Sequence, residues 1–448
     1  MKHRLNVGFI TTVSGRWPRE LPEQRQKEYG SWLDVNLPQV QIIHASRLGD
    51  SPVAIEEICT EFRRQDVDLI IQVYGAFTGD DVAARLAENL NVPLVLWAPY
   101  EPPFTGGRLL ANSLVAATMN AASLHRLGYP CSVIYGSHDD PRAASQVKEI
   151  VQVHDVRKKL RGTRIGLIGY RPTAFYNSAF DEGLIRRIFG INIEETDLKV
   201  VFDKMAAVDV QKVSRDMAEM GAAYDTSKLP EGYLENHSRL YYALQDVLHE
   251  QAYDFSALKC WPEMGNLKTT PCAVMSRLAD ENMNIACEGD MDATLAMVIE
   301  KYMTGLPPFI CDMINLDEDH NTLTYWHCGQ AAISLMDPRS PTSLENHPLA
   351  GQGTAFYGTL KEGPVTIARF CNIGGKYKLF LLNGQAVATT RNTKGVMVNV
   401  KVDMPVRKVL DTIVREGVPH HYSIVWEDVS GLMRSLAGLL AIEVIEVI

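Results

Sequence analysis

Short apolar runs alternate with amphipathic stretches along the first part of the chain. Leu5–Thr11, Leu69–Tyr74 and Cys131–Tyr135 are apolar runs of strand length. Ser51–Arg64 and Asp80–Leu90, which lie between them, repeat apolar residues at the spacing of an amphipathic helix. Strands that alternate with helices in this way are typical of a parallel, doubly wound α/β sheet. We therefore predict a Rossmann-like domain over residues 1–158.

The same alternation begins again after a charged, helix-prone segment. Further apolar runs of strand length follow at Arg164–Ile168, Leu198–Phe202, Phe255–Trp261 and Met283–Cys287. Stretches with helical spacing separate these runs, and another helix follows the last of them, with Asp290 in the position of its N-cap. The pattern predicts a second Rossmann-like parallel-sheet domain over residues 159–305.

From about Pro307 the pattern changes to short strand-like runs separated by turn residues. These runs are Phe309–Leu316, Thr322–His327, Gly353–Thr359, Val365–Cys371, Lys376–Ala388 and Val396–Val402. They are followed by a helix (Pro405–Glu416), a turn at His420–His421, a helix (Ser430–Ala441) and a strand (Ile442–Ile448). We predict a β-rich barrel or sandwich over residues 306–448. The expected fold class is thus α/β, with two Rossmann-like domains followed by a β-rich C-terminal domain.

Composition narrows the class of protein. A hydrophobic fraction of 46% and a charged fraction of 22% are ordinary for a soluble globular chain. The net charge of −10 argues against a nucleic-acid partner. The 8 cysteines include no CxxC pair, which indicates reduced thiols and a cytoplasmic location. Met1–Leu5 does not begin a signal peptide, and no apolar run has the length of a membrane span, so we expect no membrane partner.

Two carboxylates and a histidine pair stand at positions that suit a ligand site. Glu288 follows an apolar strand directly and precedes a helix, the place where open α/β sheets bind ligands. Asp312 lies inside the apolar run Phe309–Leu316, where an unpartnered carboxylate is costly. Glu, Asp and His together suit a hard or borderline divalent cation. Since the predicted boundary near residue 305 falls between the two carboxylates, we expect the site in a cleft between domains.

The order of these motifs resembles the L-fucose isomerase and L-arabinose isomerase superfamily. The matching segments are E-G-D at Glu288–Asp290, the carboxylate at Asp312, W-H-C-G at Trp326–Gly329 and H-H at His420–His421. Ser14–Arg16, after the first strand, resembles the start of the fucose isomerases. The order and domain layout match over nearly the whole chain.

The resemblance implies a metal-dependent aldose–ketose isomerase of monosaccharides. It implies Glu288, Asp312 and His421 as ligands of Mn²⁺, or of another divalent ion such as Mg²⁺ or Co²⁺. It also implies Glu288 and Asp312 as the acid and base that move a proton between C2 and C1 through a cis-enediol. The resembling enzymes are trimer-based rings or hexamers with shared active sites, so we expect a homo-oligomer of that kind.

Further side chains are candidates for binding the sugar. They are Arg16, Trp97, Arg171, Glu263, His327 and His420. Each also has a structural interpretation, such as a packed loop for Trp97 or a satisfied core histidine for His327. Two alternatives to a neutral-sugar isomerase stay open at this point. One is the same chemistry on an anionic sugar such as sulfoquinovose (6-deoxy-6-sulfoglucose), and the other is a non-catalytic sugar-binding protein.

Overall fold

A computed structural model of the protein describes residues 4–447. Residues 1–3 of the predicted start Met1–Leu5, and the last residue of the predicted strand Ile442–Ile448, lie outside the described residues. The chain divides into two compact units, and the division falls between Lys159 and Leu160. No helix within residues 4–447 is both long enough and apolar enough to span a lipid bilayer.

The first unit is a parallel sheet with helices on both faces. Its elements in chain order are β1 (Asn6–Thr12), α1 (Glu20–Asn36), β2 (Gln41–His44), α2 (Pro52–Arg64), β3 (Leu69–Tyr74), α3 (Asp80–Leu90), β4 (Leu94–Ala98), α4 (Ser113–Leu127), β5 (Cys131–Tyr135) and α5 (Pro141–Leu160). Within the described chain, five strands pair in the order β2-β1-β3-β4-β5, all in parallel. One hydrophobic cluster joins the sheet to α2, α3 and α4, and another joins it to α1 and α5.

Trp97 belongs to the core of this first unit. Its side chain is fully buried in the cluster with α1 and α5, and its Nε1–H donates to the Gly136 carbonyl at 2.8 Å. The ring also meets Tyr29 and Trp32 edge to face. The structure therefore corrects the prediction that Trp97 binds a sugar, because all five residues of β4 are buried and the indole packs in the core.

The second unit begins with another parallel sheet. Its first elements are β6 (Arg164–Ile168), α6 (Glu182–Phe189), β7 (Asn192–Thr196), α7 (Leu198–Ala207), α8 (Val210–Ala223), α9 (Tyr233–Gln251), β8 (Phe255–Leu258), α10 (Glu263–Asn266), α11 (Cys272–Asp280), β9 (Asn284–Cys287) and α12 (Met291–Thr304), with a 3-10 turn at Tyr176–Ser178. Four of the described strands pair in parallel in the order β7-β6-β8-β9. The predicted strand Leu198–Phe202 is wrong, since these residues begin α7 and the strand is β7.

The rest of the second unit is rich in β-strands. Its elements are β10 (Phe309–Asp317), β11 (Thr322–His327), β12 (Ser343–Asn346), β13 (Thr354–Thr359), β14 (Gly363–Ile373), β15 (Lys376–Val387), β16 (Val396–Lys401), α13 (Val406–Glu416), β17 (His421–Val425), α14 (Ser430–Leu439) and β18 (Glu443–Ile445), with a 3-10 turn at Ile333–Leu335. His421 starts a strand, which corrects the predicted turn at both histidines. The predicted fold class is confirmed.

These strands close into a barrel. Among the described residues the pairing order is β12-β13-β16-β11-β10-β17-β14-β15-β18, and β15 also pairs with β16. The ring β16-β11-β10-β17-β14-β15 is antiparallel throughout. Closure removes the open edges of these strands and places β10 and β17 side by side.

Candidate active site

Glu288 occupies a constrained turn between β9 and α12. Its backbone has φ +60°, which is unusual for a residue with a side chain, and Gly289 follows at φ +66°. A Cβ atom on Gly289 would lie 2.0 Å from the carbonyl oxygen of Tyr170, so only glycine fits beneath that backbone. The turn fixes the direction in which the Glu288 carboxylate leaves the end of the sheet.

Asp312 and His421 face each other on neighbouring barrel strands. They are directly opposite in the antiparallel register of β10 and β17, so both side chains lie on the same face. His421 Nε2 is 3.9 Å from Asp312 Oδ1 and 3.6 Å from Glu288 Oε2. The structure thus brings together the three side chains that the sequence suggested as a group.

A buried ion pair orients the imidazole of His421. His421 Nδ1–H donates to Asp290 Oδ2 at 2.9 Å, and Arg369 Nη1 donates to the same oxygen at 2.8 Å. Asp290 and Arg369 are both fully buried. With its proton held on Nδ1, the imidazole presents the lone pair of Nε2 to Glu288 and Asp312. Histidines that ligate metals are commonly oriented by such a carboxylate.

The pKa values of Asp290, His421 and Glu288 follow from burial and from the charged partners of each side chain. Burial by itself would raise the pKa of Asp290, but Arg369 and His421 hold it well below its usual value. Burial would lower the pKa of His421, but Asp290 raises it above its usual value, with help from Asp312 and Glu288. Burial would also raise the pKa of Glu288, and His420 and His421 together lower it below the ordinary range. Glu288 is therefore a carboxylate at neutral pH.

The donor atoms suit a divalent cation. Asp312 Oδ1 is buried and has no hydrogen-bond partner among residues 4–447. It is therefore a buried acceptor that a donor or a cation could satisfy. Donor atoms of Glu288, His420 and His421 lie within 4.8 Å of one another. Oxygen donors with an imidazole are the set preferred by Mn²⁺ and similar ions.

His420 plays a different role from its neighbour. Asn177 donates its Nδ2–H to His420 Nδ1 at 2.8 Å, which leaves the ring proton on Nε2. That nitrogen is 3.8 Å from Glu288 Oε2. A protonated nitrogen donates a hydrogen bond and does not coordinate a cation. The geometry therefore favours His421 as the ligand and His420 as a partner of the Glu288 carboxylate.

A cavity of about 540 Å³ opens beside Glu288. Its wall includes the aromatic rings of Phe175 and Trp261, and Trp261 Nε1–H donates to Glu288 Oε1 at 3.0 Å. An aromatic wall next to a carboxylate suits a sugar, which has apolar faces and polar edges. This cavity has room for a monosaccharide within reach of Glu288.

His327 and His347 add imidazoles close to the carboxylates. His327 is buried, accepts the backbone N–H of Cys328 at 2.9 Å, and its ring centroid lies 6.0 Å from that of His421. Burial and His421 lower its pKa, although Asp312 opposes them. His347 lines the cavity and accepts the backbone N–H groups of Leu349 and Ala350 at Nδ1, so its Nε2 carries the proton. Burial lowers the pKa of His347 to about 4, so it is a neutral donor.

The remaining predicted sugar contacts are spread over the chain. Arg171 Nη1 donates to the carbonyl of Phe175 at 2.8 Å, and its Nε is buried without a hydrogen-bond partner in the described part of the chain. Glu263 accepts Lys259 Nζ at 2.5 Å and lines a separate cavity at the ends of β6 and β7. Arg16 is an exposed residue of the first unit. Glu263 is thus not assembled with Glu288 in the cavity described above.

Sequence reasoning missed some of the residues around this site. Asp290 caps α12, as the sequence predicts, since its side chain accepts Ala293 N–H at 2.9 Å. Its second role became visible only with Arg369, which lies in the apolar run V-T-I-A-R-F-C. A charge inside such a run is a signal that could have been used. His347 carries no comparable local signal.

The chain is similar to sugar isomerases over most of its length. The relatives are curated as sulfoquinovose isomerases. The protein of Alkalicoccus urumqiensis is 26% identical over 382 residues, which cover 85% of this chain and 86% of that protein. The protein of Priestia aryabhattai is 24% identical over 436 residues, 95% of each chain. The protein of Clostridium sp. strain MSTE9 is 28% identical over 401 residues, 87% of this chain and 89% of that protein.

Other comparisons add little. No protein-family model matches the chain. Among solved structures, a periplasmic sugar-binding protein of an ABC sugar transporter from Legionella pneumophila is 13% identical and covers 68% of this chain and 97% of its own, with a TM-score of 0.17. A TM-score this low supports no conclusion about fold or function.

Proposed function

We propose that the protein is a metal-dependent aldose–ketose isomerase whose substrate is an anionic sugar. The candidate substrate is sulfoquinovose, and the product is 6-deoxy-6-sulfofructose. The observation that carries the proposal is the meeting of Glu288, Asp312 and the Nε2 of His421 beside a cavity of monosaccharide size. Similarity to sulfoquinovose isomerases over 85–95% of the chain supports the anionic substrate over a neutral one.

The proposed cation is Mn²⁺, with Mg²⁺ or Co²⁺ as substitutes. Glu288, Asp312 and His421 would hold it, and His420 would hold Glu288 in place by its Nε2–H. A bound divalent ion supplies positive charge that stabilises negative charge developing on two adjacent sugar oxygens. The unpartnered Asp312 Oδ1 and the fixed tautomer of His421 support this assignment.

The two carboxylates are also the proposed proton-transfer groups. Isomerisation removes the proton from C2 of the aldose, forms a cis-enediol, and delivers a proton to C1. Glu288 is charged at neutral pH, so it can accept a proton, and Asp312 Oδ1 lies 3.9 Å from His421 Nε2, the nitrogen that Glu288 also approaches. The neutral Nε2–H of His347 can donate to a sugar hydroxyl within the cavity.

Arg171 is the proposed partner for the anionic group of the sugar. Its buried Nε needs an acceptor, and its Nη1 bonds to Phe175, whose ring lines the cavity. A guanidinium binds a sulfonate through charge-assisted hydrogen bonds, which are stronger than neutral ones. Phe175 and Trp261 pack edge to face at 5.4 Å and offer an apolar surface for the sugar ring.

The state of assembly and the cellular location stay predictions. We expect a homo-oligomer, a trimer or hexamer, in which a neighbouring subunit's first unit completes the active site. Arg16, in the loop after β1, is the residue of the first unit that this arrangement would use. A cytoplasmic location is expected from the reduced cysteines.

The test is an isomerase assay in D₂O with added Mn²⁺. We expect ¹H NMR to show conversion of sulfoquinovose to its ketose, and slow or no conversion of glucose and L-fucose. The enediol route gives a deuterium-labelled product whenever the transferred proton exchanges with solvent. Asp312→Asn should lose bound Mn²⁺ and at least 100-fold in kcat/KM while keeping its circular dichroism spectrum.

Asp317→Asn is the matched control. Asp317 lies on the same strand, β10, but bonds to the exposed His320, so both activity and Mn²⁺ content should be unchanged. Binding of sulfoquinovose without conversion would indicate a sugar-binding protein instead. Full activity in the presence of excess chelator would refute the metal assignment.

A further inference from the structure

Four cysteines line the cavity beside Glu288. They are Cys260, Cys272, Cys287 and Cys328. They come from separate segments of the second unit, and three of them are buried. The proposed isomerase reaction uses none of these thiols. Their position next to a proposed cation ligand raises the question of what they bind.

Two of the sulfur atoms are spaced for a bound metal. Cys260 Sγ and Cys287 Sγ are 3.5 Å apart, and the two thiols share a hydrogen bond. Two sulfurs on one tetrahedral Zn²⁺ are about 3.8 Å apart, because each Zn–S bond is about 2.3 Å. A disulfide would require the same atoms to approach to about 2.0 Å. The observed spacing therefore fits a shared metal with a small adjustment and fits a disulfide only after a larger one.

Glu288 completes this group. Donor atoms of Cys260, Cys287 and Glu288 all lie within 4.8 Å of one another. Cys287 and Glu288 are consecutive at the end of β9, and Cys260 follows β8, the adjacent strand. Two thiolates and a carboxylate with an open fourth position match the ligand types that Zn²⁺ accepts. Water from the cavity, which these residues line, can fill that position.

We propose that Cys260, Cys287 and Glu288 form a second cation site that is selective for thiophilic divalent ions such as Zn²⁺ and Cd²⁺. Each thiol releases its proton to the buffer as the metal–sulfur bond forms, so that charge and atoms balance. Soft thiolates prefer these ions over Mn²⁺ and Mg²⁺. The site shares Glu288 with the proposed Mn²⁺ site, and a carboxylate drawn toward the sulfurs is withdrawn from His421 and Asp312. Thiophilic ions therefore release Mn²⁺ and inhibit the enzyme.

The experiment is a titration of the full chain with Cd²⁺, followed by ultraviolet absorption. A Cd²⁺–thiolate bond has a charge-transfer band, and we expect an intensity that corresponds to two thiolates per chain. In Cys260→Ser and Cys287→Ser the affinity for Cd²⁺ should fall at least tenfold. Circular dichroism identifies any variant that fails to fold, and either single variant is sufficient for the test. Cys131→Ser, which removes a partly exposed thiol of the first unit, should change nothing.

Two further measurements separate this site from the proposed active site. Asp312→Asn should still give the Cd²⁺ band, because Asp312 is not among its ligands. In the wild-type protein loaded with Mn²⁺, Cd²⁺ should release free Mn²⁺, seen by electron paramagnetic resonance. A Cd²⁺ band without isomerase activity would reject the proposed function alone. A band that persists in both serine variants, that is lost in Cys272→Ser and Cys328→Ser instead, or that never appears in the wild type would overturn this second site.

Discussion

Asp290 is a single carboxylate with three partners. Oδ1 accepts the backbone N–H of Ala293 at the start of α12, and Oδ2 accepts hydrogen bonds from Arg369 on β14 and His421 on β17. A fully buried charge is tolerated when its hydrogen bonds are satisfied in this way. The same side chain therefore begins a helix, neutralises a buried arginine and orients a candidate ligand.

Replacing Asp290 with Asn should weaken both the metal site and the fold. The variant loses the charge that fixes the proton of His421 on Nδ1, so the affinity for Mn²⁺ should fall about 10–100-fold. It also removes the carboxylate that Arg369 bonds to, which should lower the free energy of unfolding by about 3–5 kcal/mol. Calorimetric titration with Mn²⁺ and urea unfolding measure the two effects.

Asp292→Asn is the control for the Mn²⁺ measurement. Asp292 lies on the same first turn of α12, but its carboxylate accepts Tyr377 O–H at 2.6 Å. Burial raises the pKa of Asp292 to about 6. Because Asp292 bonds to Tyr377 and His421 bonds to Asp290, the affinity for Mn²⁺ should stay within about threefold of the wild type. An unchanged Mn²⁺ affinity in folded Asp290→Asn would contradict the orienting role.

Local patterns indicated Glu288, Asp312 and the pair His420–His421, and the family resemblance implied His421 as the ligand, but neither indicated the residues that support them. Each of the three shows in its own segment, as a carboxylate after a strand, a carboxylate inside an apolar run, or a histidine near a predicted turn. The contact between Asp290 and Arg369 joins segments 79 positions apart and depends on how the barrel strands pair. No pattern within one segment records that pairing.

The sequence predicts a strand at Leu198–Phe202, where the structure has the start of α7, and the error has a physical reason. Leu198, Val201 and Met205 are buried at helical spacing, and Asp197 caps the helix, but the apolar run at its start reads as a strand. The true strand, Asn192–Thr196, has the polar sequence N-I-E-E-T because it lies at the edge of its sheet and is only half buried. Apolar content predicts central strands better than edge strands.

The turn that carries Glu288 should tolerate no side chain at Gly289. In Gly289→Ala the new Cβ would collide with the backbone of Tyr170, so the chain must shift at the end of β9. We expect a loss of about 3 kcal/mol or more in the free energy of unfolding, together with loss of Mn²⁺ binding. Urea unfolding of the purified variant measures the first, and metal analysis after gel filtration measures the second.

Gly305→Ala provides the comparison for that prediction. Gly305 ends the same helix, α12, at φ +73°, and a Cβ atom there meets nothing within 4 Å. Gly305→Ala should lower the free energy of unfolding by about 1–2 kcal/mol, the ordinary penalty for a non-glycine residue in the left-handed conformation, and should leave Mn²⁺ binding intact. Equal losses in the two variants would show that conformation, and not the contact with Tyr170, decides the requirement for glycine.

A buried polar cluster joins the α/β part of the second unit to its β-rich part. His237 on α9 donates through Nδ1 to Thr354 on β13 and accepts Arg277 Nη1 at Nε2, at 2.8 and 3.0 Å. Asp216 on α8 accepts both terminal nitrogens of Arg277. Burial, and then the charge of Arg277, lower the pKa of His237 to about 3. The neutral form of His237 is thus part of the folded state.

Acid should weaken the second unit through this histidine. An unfolded histidine titrates near pH 6.5, so between about pH 6.5 and 3 the unfolded chain binds a proton that the folded chain excludes. The contribution of neutral His237 to the free energy of unfolding is fully present above pH 6.5. Below that pH it is lost at about 1.4 kcal/mol per pH unit on acidification. Urea unfolding at pH 6.0 and 4.5 should therefore show a smaller decrease for His237→Asn than for the wild type.

His249→Asn should behave like the wild type in the same comparison. His249 lies on the exposed end of the same helix, α9. Parallel pH profiles of the wild type and His237→Asn would contradict the role assigned to the buried imidazole.

The fold class of the whole molecule could be predicted from the sequence, but the closure of the strands into a barrel could not. Alternating runs and their change near Pro307 predicted parallel sheets followed by a β-rich part, as the structure has them. These patterns do not distinguish a barrel from a sandwich, because both consist of short strands separated by turns. The pairing of β15 with β16 decides between them, and it joins strands whose sequences carry no mark of their partner.

Because Asp312 and His421 lie opposite each other on β10 and β17, residues can be inserted between the two strands without moving the two side chains apart. Their separation is set by the spacing of a β-ladder and is independent of the number of residues that connect the two strands. The exposed turn at Gly374–Gly375, where added atoms meet nothing, lies within that connection. A peptide tag or a small reporter domain can therefore be grafted there without changing the distance between the two donors.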